Sequence, residues 1–271
     1  HNKVLSLNDD EPSLASRVNW GNFNNAYPYI AIPGHPIAMF YGHIFDGVYQ
    51  YTDFDKVGES YILKDGVPNN GNAREKIQPG DIKFKDINRD GVVNDYDLTI
   101  IGNPNPKHIG GFGNNFQYKN FDLNVFFQWS YGGDVLNANR IEFEGGDPNA
   151  RTSLNMFASF ANRWTPENQT NELYRIGGQG PAVYSSRTIE DGSFLRLKTI
   201  SLGYRLPNAW LKKINIKSLR VYASAQNLIT WTRYSGPDPE VSTRPTALTP
   251  SFDWSPYPRP RTLTLGVDIS F

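Results

Sequence analysis

Twelve consecutive residues carry the densest chemistry in this chain of 271. Asp86, Asn88, Asp90, Asn94 and Asp97 stand at positions 1, 3, 5, 9 and 12 of a run that has glycine, Gly91, at position 6. This is the ligand spacing of an EF-hand-type loop: alternate side chains of a tight loop converge on one point, and glycine permits the sharp turn. The backbone carbonyl of Val92, at position 7, completes the donor set. Oxygen donors alone suit a hard cation, so Ca²⁺ is expected over Zn²⁺ or Cu²⁺, in a structural role. Position 12 is Asp rather than the longer Glu, which makes bidentate closure harder to reach. The alternative reading of the same residues is an Asp/Asn-rich turn without metal.

Other reactive residue types lack a frame. Glu142, Glu144 and Asp147 supply the carboxylates of a glycoside hydrolase, but in a Gly/Asp-rich stretch that reads as loop, so solvated acids and no catalysis are expected. His1, His35, His43 and His108 show no metal-ligand spacing. Gly110, Gly111 and Gly113 precede a strand rather than a helix and read as strand glycines, not a phosphate loop. Trp231, Tyr234, Trp254 and Tyr257 gather around the last long Pro/Gly-rich segment. Aromatic faces stack on sugar rings, which makes these four candidate substrate contacts; girdle aromatics at a barrel rim are the alternative.

The elements that position these residues are strands. In 261–271, Leu263, Leu265, Val267, Ile269 and Phe271 share one face, and Thr262, Thr264, Gly266, Asp268 and Ser270 the other. About ten alternating residues is the length of a tilted strand that crosses a bilayer. Segment 121–131 repeats the pattern, as does 219–226 within the strand 217–230 (Leu219, Val221, Ala223 and Ala225 on one face), and 38–50, 107–118 and 192–205 follow it less regularly. Arg196 and Lys198 are expected on the lipid side of 192–205, in a half that stands above the membrane. Connections alternate between short turns at 119–120 and 207–217 and long segments at 51–106, 132–191 and 231–260. Weaving six strands back from Phe271 places every long segment on the same, outer side, as in an outer-membrane barrel. Six strands cannot close a channel, so the sheet is expected to be completed by sequence outside this chain, and 1–7 reads as the interior of a longer one. Lys+Arg and Asp+Glu are both 27, which argues against a nucleic-acid partner. Cysteine is absent, so no disulfide or thiolate site forms. No apolar run is long enough for a membrane helix.

Several stretches together resemble the SusC/RagA family of TonB-dependent transporters of Bacteroidetes. They are Pro-Ile-Ala-Met-Phe-Tyr-Gly-His-Ile-Phe-Asp-Gly-Val-Tyr-Gln at 36–50, Gly-Asp-Ile-Lys-Phe-Lys-Asp-Ile-Asn-Arg-Asp-Gly at 80–91, and Ile-Ile-Gly-Asn-Pro-Asn-Pro-Lys at 100–107. Asp-Gly-Ser-Phe-Leu-Arg-Leu-Lys at 191–198, Leu-Arg-Val-Tyr-Ala-Ser-Ala-Gln-Asn-Leu at 219–228 and Pro-Arg-Pro-Arg-Thr at 258–262 follow in order. The resemblance runs from about residue 30 onward. It implies that residues 1–271 are the C-terminal part of an all-β, antiparallel transmembrane barrel, six to eight strands of 22, with extracellular loop 51–106 carrying the calcium loop 86–97. It further implies an outer-membrane importer of oligosaccharides or oligopeptides, partnered by the rest of the barrel and its plug, a SusD-like surface lipoprotein, and TonB–ExbB–ExbD through the missing N-terminal part. A secreted, calcium-stabilised glycan-binding module and a surface glycosidase fragment are the rival readings.

Overall fold

The computed structural model describes residues 2–8, 11–18, 26–145, 154–182, 184–212, 215–243 and 246–271. In chain order the strands are β1 (Leu14–Ser16), β2 (Tyr29–Ala31), β3 (Met39–Gly42), β4 (Phe45–Val48), β5 (Phe54–Val57), β6 (Ser60–Leu63), β7 (Ile82–Phe84) and β8 (Thr99–Gly102). Then come β9 (His108–Tyr118), β10 (Phe121–Tyr131), β11 (Asp134–Asn137), β12 (Ile189–Asp191), β13 (Phe194–Arg205), β14 (Ser218–Thr232), β15 (Phe252–Asp253) and β16 (Thr262–Ser270). Among the described residues there are two short α-helices, α1 (Asn139–Glu144) and α2 (Asn208–Leu211), and several single turns of 3-10 helix. Among the described residues no helix is long and apolar enough to cross a membrane. The chain divides into two compact units.

The unit of residues 106–133, 191–240 and 257–271 is one antiparallel sheet in the order β16-β14-β13-β10-β9. Its register explains the sequence alternation. Tyr118, Phe121, Tyr204, Val221 and Val267 are successive cross-strand neighbours, and so are Phe116, Leu123, Leu202, Ala223 and Leu265. Directly opposed residues share a face, so these rows build one apolar surface. Between them run Gln117, Asp122, Gly203, Tyr222 and Gly266 on the opposite face. There the Arg220 guanidinium bonds Asp122 (2.6 and 2.9 Å) and Asp268 (3.1 Å), tying three strands together. Gly203 makes room for it, because a Cβ there would fall on the guanidinium.

The alternation is not carried through unchanged. From Val125 to Phe127, three residues of β10 stand opposite four of β13 (Ile200 to Leu197) and five of β14 (Ala225 to Ile229). Asn227, in the five-residue stretch, takes φ +52°, a conformation asparagine tolerates. An extra residue inverts the facing of everything beyond it. Arg196 therefore joins Gln128 and Thr230 on the polar face instead of pointing to lipid with Lys198 as its position in 192–205 suggests. It is only 1% exposed, held by Asp238 (2.5 Å) and Glu240 (3.3 Å), with Arg259 sharing both acids.

The second unit gathers 1–105, 134–190 and 241–256, almost all of the segments that read as loops. They are not loops in the energetic sense, because they share buried cores. One core unites Tyr29 and Phe40 with Leu136, Ala138 and Phe252; another joins Val48, Ile82, Phe84 and Val93 to Trp164, Leu173 and Tyr174. The parallel pairing of β11 with β15 stitches the second and third segments together. Segment 38–50, expected as a sixth membrane strand, lies here as β3 and β4. Ala38, Met39, Phe40, Val48 and Tyr49 are buried, which leaves no face for lipid. β3 pairs with β2 and β8, and β4 with β7. The sheet of the other unit therefore has five strands, not six.

Candidate functional site

The acidic loop lies between β7 and β8, anchored by Val93, which is 2% exposed in the core. Gly91 has φ +84°, the left-handed conformation the turn demands and glycine accommodates. Every carboxylate oxygen of the three central acids accepts a hydrogen bond from the loop. Asp86 takes the backbone N–H groups of Arg89 (2.6 Å) and Gly91 (2.8 Å). Asp90 takes the Val92 N–H (2.8 Å) and the Asn88 amide (2.9 Å). Asp97, fully buried, takes the N–H groups of Ile87 (2.7 Å) and Asn94 (2.9 Å). The Asn94 side chain accepts from Tyr96 N–H and donates to the Val92 carbonyl at 3.3 Å. Among the described residues no three acids or histidines are grouped closely enough to hold a metal unaided. Asp97 Oδ1 accepts a second backbone N–H, from Asn88 at 3.4 Å; the other five carboxylate oxygens each keep a second lone pair after their bond to the loop.

Beside the loop is a cavity of about 680 Å³, lined in part by His43, Asn94, Asp95, Tyr96 and Tyr184. His43 Nδ1 is buried and lacks a partner among the described residues. Burial holds this imidazole below its ordinary pKa, against the upward pull of Asp97 and Asp95. His35 is exposed; His1 lies outside the described residues.

The acids read as solvated have a different fate. Glu144, the last residue of α1, is 7% exposed. Its Oε2 meets Arg187 at 2.7 Å and Arg140 at 3.0 Å, and its Oε1 accepts from the Ser159 hydroxyl at 2.8 Å. Burial alone would raise its pKa, but the two arginines and these hydrogen bonds bring it below the ordinary value. A carboxylate so tightly neutralised holds structure together and is no general acid. Asp147 lies outside the described residues.

The four aromatic candidates are divided. Trp254 belongs to the larger unit, where it stacks on Phe143 at 6.4 Å. Trp231, Tyr234 and Tyr257 belong to the sheet unit: Trp231 half-exposed on β14, Tyr234 buried, Tyr257 91% exposed. Sequence reasoning missed the row formed by Trp129, Leu195 and Trp231, which are direct cross-strand neighbours. Only the register beyond the bulge brings them together.

The sheet is the arrangement with the clearest chemistry. Leu263, Leu265 and Phe271 are 77%, 86% and 77% exposed on its apolar face. Such an extended apolar surface belongs against lipid or another protein, not water.

No family model matches the chain. Over its full length the chain is 35% identical to TonB-dependent receptor P3 of Formosa agariphila, of which it covers 26%. Over 71% of its length it is 35% identical to receptor P26 of the same organism, and over 73% it is 32% identical to the TonB-dependent receptor SusC of Bacteroides thetaiotaomicron. The chain thus spans about a quarter or less of the relatives it matches. Among solved structures, the RagAB peptide transporter superposes on 99% of this chain with a TM-score of 0.70 at 24% identity, the chain covering 25% of it. The RagAB importer in its closed-closed state gives 0.70 at 23%, covering 26%. At these identities the likeness speaks for the fold, and the fold it speaks for is a barrel whose wall is a sheet of this kind. Sequence and fold agree that the chain is a segment of an outer-membrane β-barrel and belongs to the SusC-like family of TonB-dependent receptors.

Proposed function

We propose that the receptor containing this chain imports an oligomeric nutrient, an oligosaccharide or an oligopeptide, across the outer membrane, with this chain supplying barrel wall and surface structure. The observation that carries the reading is the coexistence of a two-faced antiparallel sheet with a folded unit built from its inter-strand excursions. A wall with one apolar and one polar face separates lipid from an aqueous lumen. The excursions leave the sheet at the end marked by His108, Tyr131, Phe194, Thr232 and Thr262, and short turns close the other end. Long connections on one side suit capture outside the cell. The RagAB structures of similar fold are of a peptide importer, which supports oligopeptides; exposed Tyr257 supports sugar rings. A SusD-like lipoprotein is the proposed lid, and TonB–ExbB–ExbD the energy source acting through parts of the receptor outside this chain. Deleting the receptor gene and growing the host on either polymer class as sole carbon source tests this. Loss of growth on one class assigns the substrate; unchanged growth and uptake on both would remove the import reading. Tagged receptor isolated from membranes should bring a lipidated partner with it in equal amount.

We also propose that Asp86, Asn88, Asp90, Asn94, Asp97 and the Val92 carbonyl take Ca²⁺. The donors are all oxygen and Gly91 already has the required turn, but the acids do not converge on their own. The ion therefore has to draw them together, and binding should order the loop. Terbium luminescence sensitised by Tyr96 reads this directly. Asp90→Ala should abolish the signal, and calorimetry that finds no heat at millimolar calcium would leave a turn stabilised by its own N–H groups.

A further inference from the structure

At the end of the sheet from which the excursions leave, the apolar face changes character in successive rows. Phe127, Leu197 and Ile229 form one cross-strand row, and Trp129, Leu195 and Trp231 the next. Beyond them Tyr131 stands opposite His108, and Arg233 follows the end of β14. Trp129, Leu195, Trp231, Tyr131, His108 and Arg233 line one cavity of about 700 Å³. Its wall is fixed by specific contacts. The Trp129 indole N–H donates to His108 Nδ1 at 3.1 Å, and the His108 ring stacks on Tyr131 at 5.1 Å. With Nδ1 accepting, His108 Nε2 is left as a hydrogen-bond donor. Lys107 Nζ lies 5.9 Å from the Tyr131 ring centroid. Among the described residues neither Lys107 nor Arg233 pairs with a carboxylate. Asp191 is the acid that lines the cavity, and its Oδ1 is occupied by the Ser193 N–H at 2.9 Å.

We propose that this cavity binds the acidic headgroup of a membrane phospholipid, whose phosphate charge no choline or amine offsets. The order of the rows is the order of a lipid: aliphatic and phenyl side chains for the acyl chains, indoles at the polar boundary, then two cations and an imidazole donor for the phosphate. Indole and phenol rings favour that boundary because one edge is apolar and the other polar. Basic residues beside it attract acidic headgroups. The inference rests on the barrel reading, which places this face in the bilayer. A free phosphate ion offers the same charge but would have no use for the apolar rows below.

The test uses the full-length receptor in liposomes that carry a brominated acyl chain on either phosphatidylglycerol or phosphatidylcholine. The quenching lost in a Trp129→Phe/Trp231→Phe double variant isolates the signal of these two indoles. Brominated phosphatidylglycerol should quench them more strongly at equal mole fraction, and the relative lipid-binding constant fitted from that quenching should favour it by about five-fold per cation. Lys107→Gln and Arg233→Gln, both at the exposed rim, should each reduce that preference without lowering quenching by phosphatidylcholine. Millimolar inorganic phosphate should not compete beyond an equal ionic strength of chloride. Equal quenching by the two lipids would overturn the headgroup site and leave the barrel standing. Competition by phosphate would reassign the cavity to a free anion and overturn it too. Quenching by neither lipid would mean that the face is not in the bilayer, and the barrel reading would fail with the site.

Discussion

Glu144 holds two arginines on one carboxylate oxygen and a hydroxyl on the other. Removing one partner of a buried charge set leaves the others uncompensated, at about 3–5 kcal/mol. Arg140 keeps a second acid, Glu190, at 3.4 Å, so Glu144→Gln should fall toward the lower end of that range. The pH dependence follows from the direction of the shift. The folded-state pKa of Glu144 is depressed, so its contribution is fully present above the ordinary glutamate value of about 4.3 and is lost as pH falls through the lower folded value. Asp81 acts in the opposite sense, because burial raises its pKa against the Gln78 N–H and Arg175, and its protonation on acidification favours the fold. Thermal unfolding of the receptor in detergent, scanned from pH 6 to pH 3 (roughly, to span both carboxylates), should show a downward slope that Glu144→Gln flattens. An unchanged slope would remove Glu144 from the acid response. At this scale the sequence was legible where a residue acts through its own backbone, as Gly91 does with its positive φ. It was illegible where partners come from afar: Arg187 is 43 residues from Glu144, and nothing local distinguishes a paired acid from a solvated one.

Strand facing was readable because a period of two needs no distant information. The segments 107–118, 121–131, 192–205, 217–230 and 261–271 correspond to β9, β10, β13, β14 and β16 within a few residues. Segment 38–50 is apolar on both sides, with Phe40 and Met39 both buried, and belongs in a core instead of at a lipid boundary. The inversion of Arg196 was hidden because a bulge is a property of paired strands, and no single strand announces the extra residue opposite its neighbour. Facing can be tested by charge. Val125 lies in a row with Ile200, Ala225 and Leu263, whereas Asn124 lies in a row with Ser201, Ser224 and Thr264. Arginine on the lipid face near mid-membrane costs about 2–4 kcal/mol, and a polar lumen imposes much less. Val125→Arg and Leu265→Arg should therefore reduce the heat-modifiable, folded band of the receptor on gels, while Asn124→Arg and Thr264→Arg leave it nearly intact. The reverse ranking would invert the wall.

At the scale of the whole molecule, the two units make different demands on what surrounds them. The larger one satisfies itself: three segments far apart in sequence bury Phe40, Leu136 and Phe252 together, a core no local window reveals. Turn-forming residues dominate those segments, so they read as loops, while the sparse apolar residues between the turns do the packing. The sheet unit is the opposite case. Its faces are settled by alternation, but among the described residues its outer strands, β9 and β16, each have a partner on one side only. In lipid an unpaired backbone N–H or C=O has no water to turn to, and each costs several times the net worth of an ordinary hydrogen bond. In water the same edges, 11 and 9 residues long, are templates for pairing with other chains, and the exposed Leu263, Leu265 and Val267 beside one of them compound the hazard. The 271-residue segment produced alone and refolded in detergent should therefore aggregate or remain heterogeneous, whereas the full-length receptor, whose sheet has partners for both edges, should give one monodisperse species. Supplying the remaining barrel sequence as a separate chain during refolding should rescue solubility, because edge pairing is the missing term. A lone segment that ran as a monodisperse, protease-resistant monomer with a cooperative melt would show that its edges are satisfied from within, and the five strands would then have to close on themselves in a way that their register does not display.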